Sequence, residues 1–352
     1  MLQAAIVILN WNGLEFLEKF LPILIKKSSV QGVEIIVADN NSSDESLSFI
    51  EKNHPEIRTI KLDDNYGFAG GYNKALEKVN AEYYLLLNSD IEVGDKWIEP
   101  LIDFMDKNPK VAACSPIILD FNKRDYFEYA GAAGGYIDKF GYTFCRGRIF
   151  NTLEVNKEDL KNPLEVFWTS GACMLIRSEL FKKTGGFDSH FFAHMEEVDL
   201  CWRLKNLGHT LAVVPESRVY HIGGGTLPKS NPFKTYLNFR NNLLMLYKNL
   251  PEQSLSKTVF IRKLMDGLSA GLFLLSLKFK DIAAIYKAHR SFEKDKANYD
   301  TFRNEQDKLH AYPEHKEIYQ KSIVLDYFLL GRKKFNTLRD GFSKKTILKH
   351  KQ

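Results

Sequence analysis

Four stretches in the first ninety residues read as short strands: 4–9, 33–38, 57–62 and 82–87. Residues 4–9 and 83–87 are unbroken apolar runs, the pattern of strands buried on both faces of a parallel sheet. After the first strand, Leu14, Phe16, Leu17, Phe20, Leu21, Leu24 and Ile25 recur at helical spacing. Shorter helices are expected over 44–53, with Ser43 or Asp44 as cap, and from the glycines at 67–71 to Val79. Strand and helix thus alternate four times at short spacing. That predicts an α/β fold with a mostly parallel sheet and helices on both faces.

Beyond residue 90 the pattern loosens. Helix is expected over 95–107 and extended chain over 111–119. Residues 120–165 mix Tyr126, Phe127, Tyr129, Tyr136, Phe140, Tyr142 and Phe144 with five glycines. A meander or loop beside the site is expected there, its aromatics either an acceptor platform or a cover for the sheet. Residues 167–176 read as a strand, with Ser170-Gly171 where a substrate could approach the backbone. A helix begins near Glu196, and 211–215 and 218–221 read as two short strands. From Phe233 onward helices dominate, among them a mainly apolar one over 255–277 and a mixed one over 278–297. The chain is therefore expected to divide into a body, 1–231, and a helical C-terminal appendage, 232–352.

Charge sharpens that division. A net charge of +5 over 352 residues hides a body at −7 and a C-terminal region at +12, with 24 Lys and Arg against 12 Asp and Glu. Basic segments suit anionic surfaces, lipid or nucleic acid. Over 332–349 the basic residues interleave with Phe335, Leu338, Phe342, Ile347 and Leu348, as in a helix lying in a bilayer interface. An anionic membrane surface is therefore the expected partner of the C-terminal helices, and no nucleic acid. The alternative is an appendage that packs on the body or forms a homodimer. The longest uncharged apolar stretch of this region, 267–277, is too short to span a bilayer, and the chain's start reads as a strand rather than a leader. Cys114, Cys145, Cys173 and Cys201 form no Cys-x-x-Cys pair. They read as reduced thiols of a cytosolic protein, not as disulfides or a zinc site.

Candidate chemistry gathers where predicted strands end. Asp39 and Asp90 should share the carboxyl edge of the sheet, where open α/β folds bind ligands. A lone carboxylate such as Asp90 suits a hard divalent cation shared with substrate phosphates, although Asn88-Ser89-Asp90 is also ordinary turn composition. Gly67, Gly70 and Gly71 open a helix, a place for phosphate or for close packing. Glu196, Glu197 and Asp199 crowd a first helical turn, as the helix dipole or a site would favour. His221 ends a strand just before Gly223-Gly224-Gly225-Thr226.

The order of the pieces is more specific than any one of them. They are Val7-Ile8-Leu9-Asn10-Trp11-Asn12-Gly13, Val37-Ala38-Asp39-Asn40-Asn41-Ser42-Ser43-Asp44, Asn65-Tyr66-Gly67-Phe68-Ala69-Gly70-Gly71 and Leu87-Asn88-Ser89-Asp90. Ser170-Gly171-Ala172, Gly185-Gly186-Phe187-Asp188 and Glu196-Glu197-Val198-Asp199-Leu200-Cys201-Trp202-Arg203 follow. Together, over roughly residues 3–250, they resemble the family 2 inverting glycosyltransferases of GT-A fold, in the branch that includes bacterial rhamnosyltransferases. The resemblance implies a Rossmann-like sheet and a nucleotide-diphosphate sugar donor, bound by Asn10, Asp39, Gly70, Asn88, Asp90 and Gly171. It implies Mg²⁺ or Mn²⁺ on Asp90 and His221, with Asn88 in place of the first Asp of the D-x-D motif. Glu197 matches the catalytic base, with Glu196 as the alternative. The reaction implied is hexosyl or rhamnosyl transfer to a hydroxyl of a lipid-linked or polysaccharide acceptor in cell-surface glycan synthesis. The expected place, which rests only on the basic C-terminal region, is the cytoplasmic face of the membrane, with the enzyme peripherally attached.

The residue types agree with that chemistry. Inverting transfer needs one base for the acceptor hydroxyl and a cation for the departing diphosphate. Two other readings remain at this point. One is a non-catalytic nucleotide- or glycan-binding protein on the same fold. The other is a sugar nucleotidyltransferase, which would want a Gly-rich, Lys/Arg-bearing loop where Asn10-Trp11-Asn12-Gly13 stands.

Overall fold

A computed structural model describes residues 2–156, 160–223, 231–308 and 314–343. The glycines after Gly223 and the basic tail from Lys344 lie outside the described residues. The N-terminal half runs β1 (Leu2–Asn10), α1 (Leu14–Lys27), β2 (Val33–Asp39), α2 (Ser46–Asn53), β3 (Arg58–Lys61), α3 (Gly67–Leu76), β4 (Ala81–Asn88), β5 (Ile91–Val93), α4 (Glu99–Lys107) and β6 (Val111–Asp120). Four short strands follow: β7 (Gly135–Asp138), β8 (Thr143–Cys145), β9 (Arg148–Ile149) and β10 (Thr152–Leu153). The chain returns through β11 (Leu164–Val166), β12 (Cys173–Arg177), α5 (Ser178–Lys183), α6 (Glu196–Asn206) and β13 (Thr210–His221). It continues with α7 (Pro232–Asn249), α8 (Glu252–Leu275), α9 (Phe279–Asp295), α10 (Asp300–Lys308), β14 (Ile318–Tyr319) and α11 (Ile323–Phe328).

The main sheet has the strand order β11-β13-β6-β12-β4-β1-β2-β3, with β5 on β13. The block expected from the first four strand–helix repeats, β3-β2-β1-β4, is parallel throughout. Past β4 the pairing is mixed, because β12 runs antiparallel to both β4 and β6. Unbroken apolar strands follow from burial on two sides. Along β1, Ala5 and Val7 face the core under α3 and α6, while Ala4, Ile6 and Ile8 face the core under α1 and α4.

Two local expectations are corrected and a third takes definite form. The stretches 211–215 and 218–221 form a single strand, β13, whose register on β6 slips between Val214 and Arg218 around Pro215. The slip breaks the apolar pattern without ending the strand. The meander expected over 120–165 forms as a second sheet, β10-β9-β8-β7-β14, in which β7 to β10 pair antiparallel in sequence order and a strand from beyond residue 314 completes the edge. Its Tyr136 and Phe144 are core residues, whereas Tyr126 and Tyr129 are exposed. The described part of the basic segment, 332–343, packs on the body. Phe335 and Phe342 close against Tyr136 and Phe144, and Leu338 is fully buried. Those apolar side chains are spent on the core and are not free to enter lipid.

Candidate active site

Parallel pairing sets Asn10 opposite Asp39 and Leu9 opposite Asn88, so three predicted donor residues share one sheet edge. Asn10 Nδ2 donates to Asp39 Oδ1 and Ser42 Oγ, both at 3.2 Å, and Ser42 N–H donates to Asp39 Oδ2 at 2.9 Å. The loops after β1 and β2 are further tied by Ser43 N–H to Asn12 Oδ1 (2.7 Å) and by Leu14 N–H to Asp44 Oδ2 (3.0 Å). Asp44 also takes the Ser46 N–H at the start of α2, close to its expected capping role. Asn10 Oδ1 is buried with no partner. An unpaired buried acceptor is costly, which makes it a candidate ligand contact.

The glycines at the start of α3 serve close approach. A Cβ on Gly71 would strike Leu9, and one on Gly67 would strike Phe192. The Phe68 and Ala69 N–H groups both donate to the Phe192 carbonyl, at 2.7 and 3.1 Å. The end of α3 is thereby engaged, and the phosphate-cradle reading of this loop gives way to packing. Gly70 itself lies inside α3, with Tyr66 and Ser189 nearest.

Asp90 follows β4 and meets His221, the last residue of β13, because β5 carries the chain antiparallel onto β13 with Ile91 opposite His221. His221 Nε2 lies 3.0 Å from Asp90 Oδ1, and His221 Nδ1 lies 3.1 Å from Glu128 Oε2. Burial alone would lower the imidazole pKa, but the two carboxylates raise it to about 10. Burial alone would raise Asp90, yet His221 holds it below the usual value. Glu128, a buried carboxylate, lies as an ion-pair partner on the far side of the ring. No motif announces it; it stands alone between Phe127 and Tyr129, and only the topology reveals it.

Asp90 offers a carboxylate oxygen, and beside it His221, protonated in the metal-free protein, would offer an imidazole nitrogen once a bound cation displaced its Nε2 proton. Among the described residues no group of three or more His, Cys, Asp and Glu is arranged to hold a metal ion. Glu128 sits at the other ring nitrogen and does not converge with Asp90. The donor set fits a divalent cation that takes its remaining ligands from a bound diphosphate and water, the usual habit of Mg²⁺.

Glu196 and Glu197 open α6 after a strained approach, in which Phe192, His194 and Met195 all have positive φ, 63°, 70° and 72°. Non-glycine residues hold such angles only when neighbours enforce them. The enforcement comes from α7. Asn241 Nδ2 donates to the carbonyls of Phe191, Ala193 and His194 at 2.8–2.9 Å, and Arg240 Nη2 to that of His190 at 2.7 Å. The run Arg240-Asn241-Asn242, three consecutive polar residues in an amphipathic helix and all buried, was the available signal for this clamp. Asp199, grouped above with the two glutamates, is part of the same anchoring. It binds Arg203, Lys248 and Asn249, which hold it ionised against full burial.

Glu196 and Glu197 are different. The Oε2 atoms of both are buried without partners. Burial raises the Glu197 carboxyl to about 6. Glu196 is raised well above the usual range, by burial and then by the Glu197 charge. Gly171 connects this turn to the strand ends. A Cβ there would lie 3.1 Å from the Phe68 ring and 3.6 Å from Glu197 Cβ, while the neighbouring Ala172 carbonyl accepts the Asn88 N–H at 2.9 Å. Asn88 and Glu197 are thus joined through two consecutive residues.

Comparison with known proteins identifies the family and the fold. An N-acetylglucosaminyl-diphospho-decaprenol L-rhamnosyltransferase of Mycobacterium tuberculosis is 28% identical over 236 residues, spanning 61% of this chain and 75% of the relative. The dTDP-rhamnosyl transferase RfbF of Shigella flexneri is 27% identical over 247 residues, 66% of this chain and 76% of the relative. Among solved structures, GalNAc-T7 with UDP, GalNAc and Mn²⁺ matches 70% of this chain with a TM-score of 0.56 at 18% identity. The match spans 48% of that protein, so it speaks to the fold. The family model for glycosyl transferase family 2 matches residues 5–185, more than half of the chain. With the sheet order and strand-end residues described above, the chain belongs to glycosyl transferase family 2: it is a glycosyltransferase of GT-A fold.

Proposed function

We propose that the protein is a metal-dependent, inverting glycosyltransferase. It moves a hexosyl or rhamnosyl group from a nucleotide-diphosphate donor to a hydroxyl of a lipid-linked or polysaccharide acceptor, at the cytoplasmic face of the membrane. One observation carries the reading. A half-buried carboxylate, Glu197, whose Oε2 is buried without a partner, stands across Gly171-Ala172 from the strand end that bears Asn88 and Asp90. The two rhamnosyltransferase relatives favour a rhamnosyl donor, and the M. tuberculosis relative favours a polyprenyl diphosphate-linked acceptor. In this reading residues 1–231 carry the transfer chemistry and the region from 232 scaffolds it and meets surfaces.

Asn10 and Asp39 lie where the nucleoside would be held, and Asn88 and Gly171 flank the sugar. Asp90 and His221 would hold the cation, which supplies positive charge to the departing diphosphate when bound. Glu128 keeps the His221 ring in place. Glu197 takes the proton of the acceptor hydroxyl as that oxygen forms its bond to the anomeric carbon. The bond from that carbon to the diphosphate oxygen breaks, and the nucleoside diphosphate leaves with the electron pair. Glu197 is favoured over Glu196 as base because Glu196 retains its proton more strongly beside the Glu197 charge. A general base with a pKa just below neutrality is ionised and still basic at physiological pH. The test is Glu197→Gln, which should bind nucleotide sugar as the parent does and lose ~10²–10⁴-fold in kcat. Transfer at the wild-type rate would exclude Glu197 as base.

A further inference from the structure

The helix α8 is built inside out. The side chains it turns to the body are Leu255, Thr258, Arg262 and Asp266, mostly polar. Arg262 pairs with Asp266 at 2.8 Å and lies over the Tyr142 ring at 3.8 Å, and His289 of α9 lies 3.0 Å from Asp266 on its other oxygen. The outward face carries Phe260, Leu264, Leu268 and Leu272 at four-residue intervals, then Leu275, all well exposed. A helix on a water-facing surface shows the opposite arrangement.

The pattern continues past the end of the helix. Every residue from Gly271 to Lys280 is exposed except the half-buried Phe273. Leu275 and Leu277 are 83% and 74% exposed, and Phe279, which opens α9, is 60% exposed. A Cβ added at Gly267 or Gly271 would meet nothing within 4 Å. The turn between α8 and α9 is thus a protruding apolar tip. Exposed apolar patches of this kind mark contact with a protein or a membrane.

Charge decides between the two. From Ser256 to Lys280 the exposed charged residues are Lys257, Lys278 and Lys280, and the one acidic residue, Asp266, is buried. A second copy docked through this tip would set lysine against lysine. An anionic headgroup layer would pair with the lysines and admit the leucines beneath them, the arrangement of an interfacial helix. The stretch is too short to cross a bilayer, and among the described residues no helix is long and apolar enough to do so.

We infer that the α8–α9 tip, Leu268 to Lys280, inserts into the headgroup region of an anionic membrane. The inference rests on the proposed membrane-located acceptor and assigns the contact to the α8–α9 tip. The test floats full-length protein with phosphatidylcholine vesicles, with and without phosphatidylglycerol. Wild type should float with the anionic vesicles, and Leu272→Ser/Leu275→Ser/Leu277→Ser should lose at least ~10-fold in bound fraction, since each leucine forfeits its apolar burial. Melting temperature and oligomeric state should not change. High salt should weaken the binding of wild type, because the lysine contribution is screened. The full chain with Lys344, Lys345, Lys349 and Lys351 changed to Gln should float like wild type.

The inference is overturned if wild type does not float, if the triple variant floats equally, or if the tail variant alone loses binding. A wild-type dimer that the triple variant converts to monomer would also overturn it, by assigning the face to a second copy. Failure of the enzyme reading shows separately. The stabilisation of each protein by nucleoside diphosphates, measured without vesicles, should be the same in wild type and triple variant, and its absence from both would leave the vesicle result standing.

Discussion

Glu197 costs the fold stability that its removal should return. Its carboxyl is raised from 4.5 to about 6, chiefly by burial. The native state therefore binds this proton more tightly than the unfolded chain does. The sign follows: stability is greatest below pH ~4.5 and declines as the pH rises through ~6. At 1.36 kcal/mol per unit the ionised group withholds ~2 kcal/mol at neutral pH. Glu197→Gln keeps the shape and removes the ionisation, and it also relieves Glu196 of a neighbouring charge. In metal-free, ligand-free protein the variant should gain ~2 kcal/mol relative to wild type at pH 7.5, and that advantage should vanish near pH 4.5. For a chain of this length the gain is a rise of ~3 °C in melting temperature. The assay is thermal or urea denaturation of both proteins at pH 4.5, 6 and 7.5. The change in the difference between pH values carries the argument, because any fixed cost of burying the new amide cancels. Loss of transfer should accompany the gain, by ~10²–10⁴-fold in kcat, the usual contribution of a general base. A difference between the two proteins that stays constant with pH would refute the assignment of a buried, raised carboxyl at this position.

Two further substitutions test residues found only in the structure. Glu128→Gln should lower Mn²⁺ affinity ~10–100-fold, as loss of a ligand's outer partner commonly does. The measurement is titration calorimetry in the presence of nucleoside diphosphate, and unchanged affinity would make Glu128 a packing residue. Asn241→Ala should leave the carbonyls of Ala193 and His194 without their side-chain donor, remove one of the donors to Phe191, and destabilise the protein by ~2–3 kcal/mol. It should lower kcat more than it raises the donor KM, since it loosens the base and leaves the nucleotide edge intact; equal changes in both would contradict the clamp.

The parts that were legible in the sequence share a physical cause. The strands β1 and β4 are buried on both faces, so they appear as unbroken apolar runs, and their ends at Asn10 and Asn88 stand out. Asp39 and Asp90 follow from the same logic, because parallel strands must end on one edge. The less legible parts depend on contacts between distant segments. The strands β7 to β10 are two to four residues long and are completed by β14, nearly 180 residues later. No local period can announce such a sheet. Asp199 shares a helical turn with Glu196 and Glu197, yet its partners Lys248 and Asn249 come from α7. The apolar residues of the C-terminal region were visible, but not which of them face inward. Phe335, Leu338 and Phe342 pack on the body, while Leu272, Leu275 and Leu277, in the stretch too short to span a bilayer, remain outside.

The cation-assisted donor site is tested most directly by melting the protein with nucleoside diphosphates and nucleotide sugars, each with and without Mn²⁺ or Mg²⁺. At a hundredfold excess over its dissociation constant, a ligand specific to the folded state adds ~2.7 kcal/mol of stability. Wild type should show a shift with one nucleotide that needs the metal, and Asp90→Ala should show none. A shift of equal size without metal, or one that survives in Asp90→Ala, would contradict the placement of the diphosphate and its cation at Asp90 and His221.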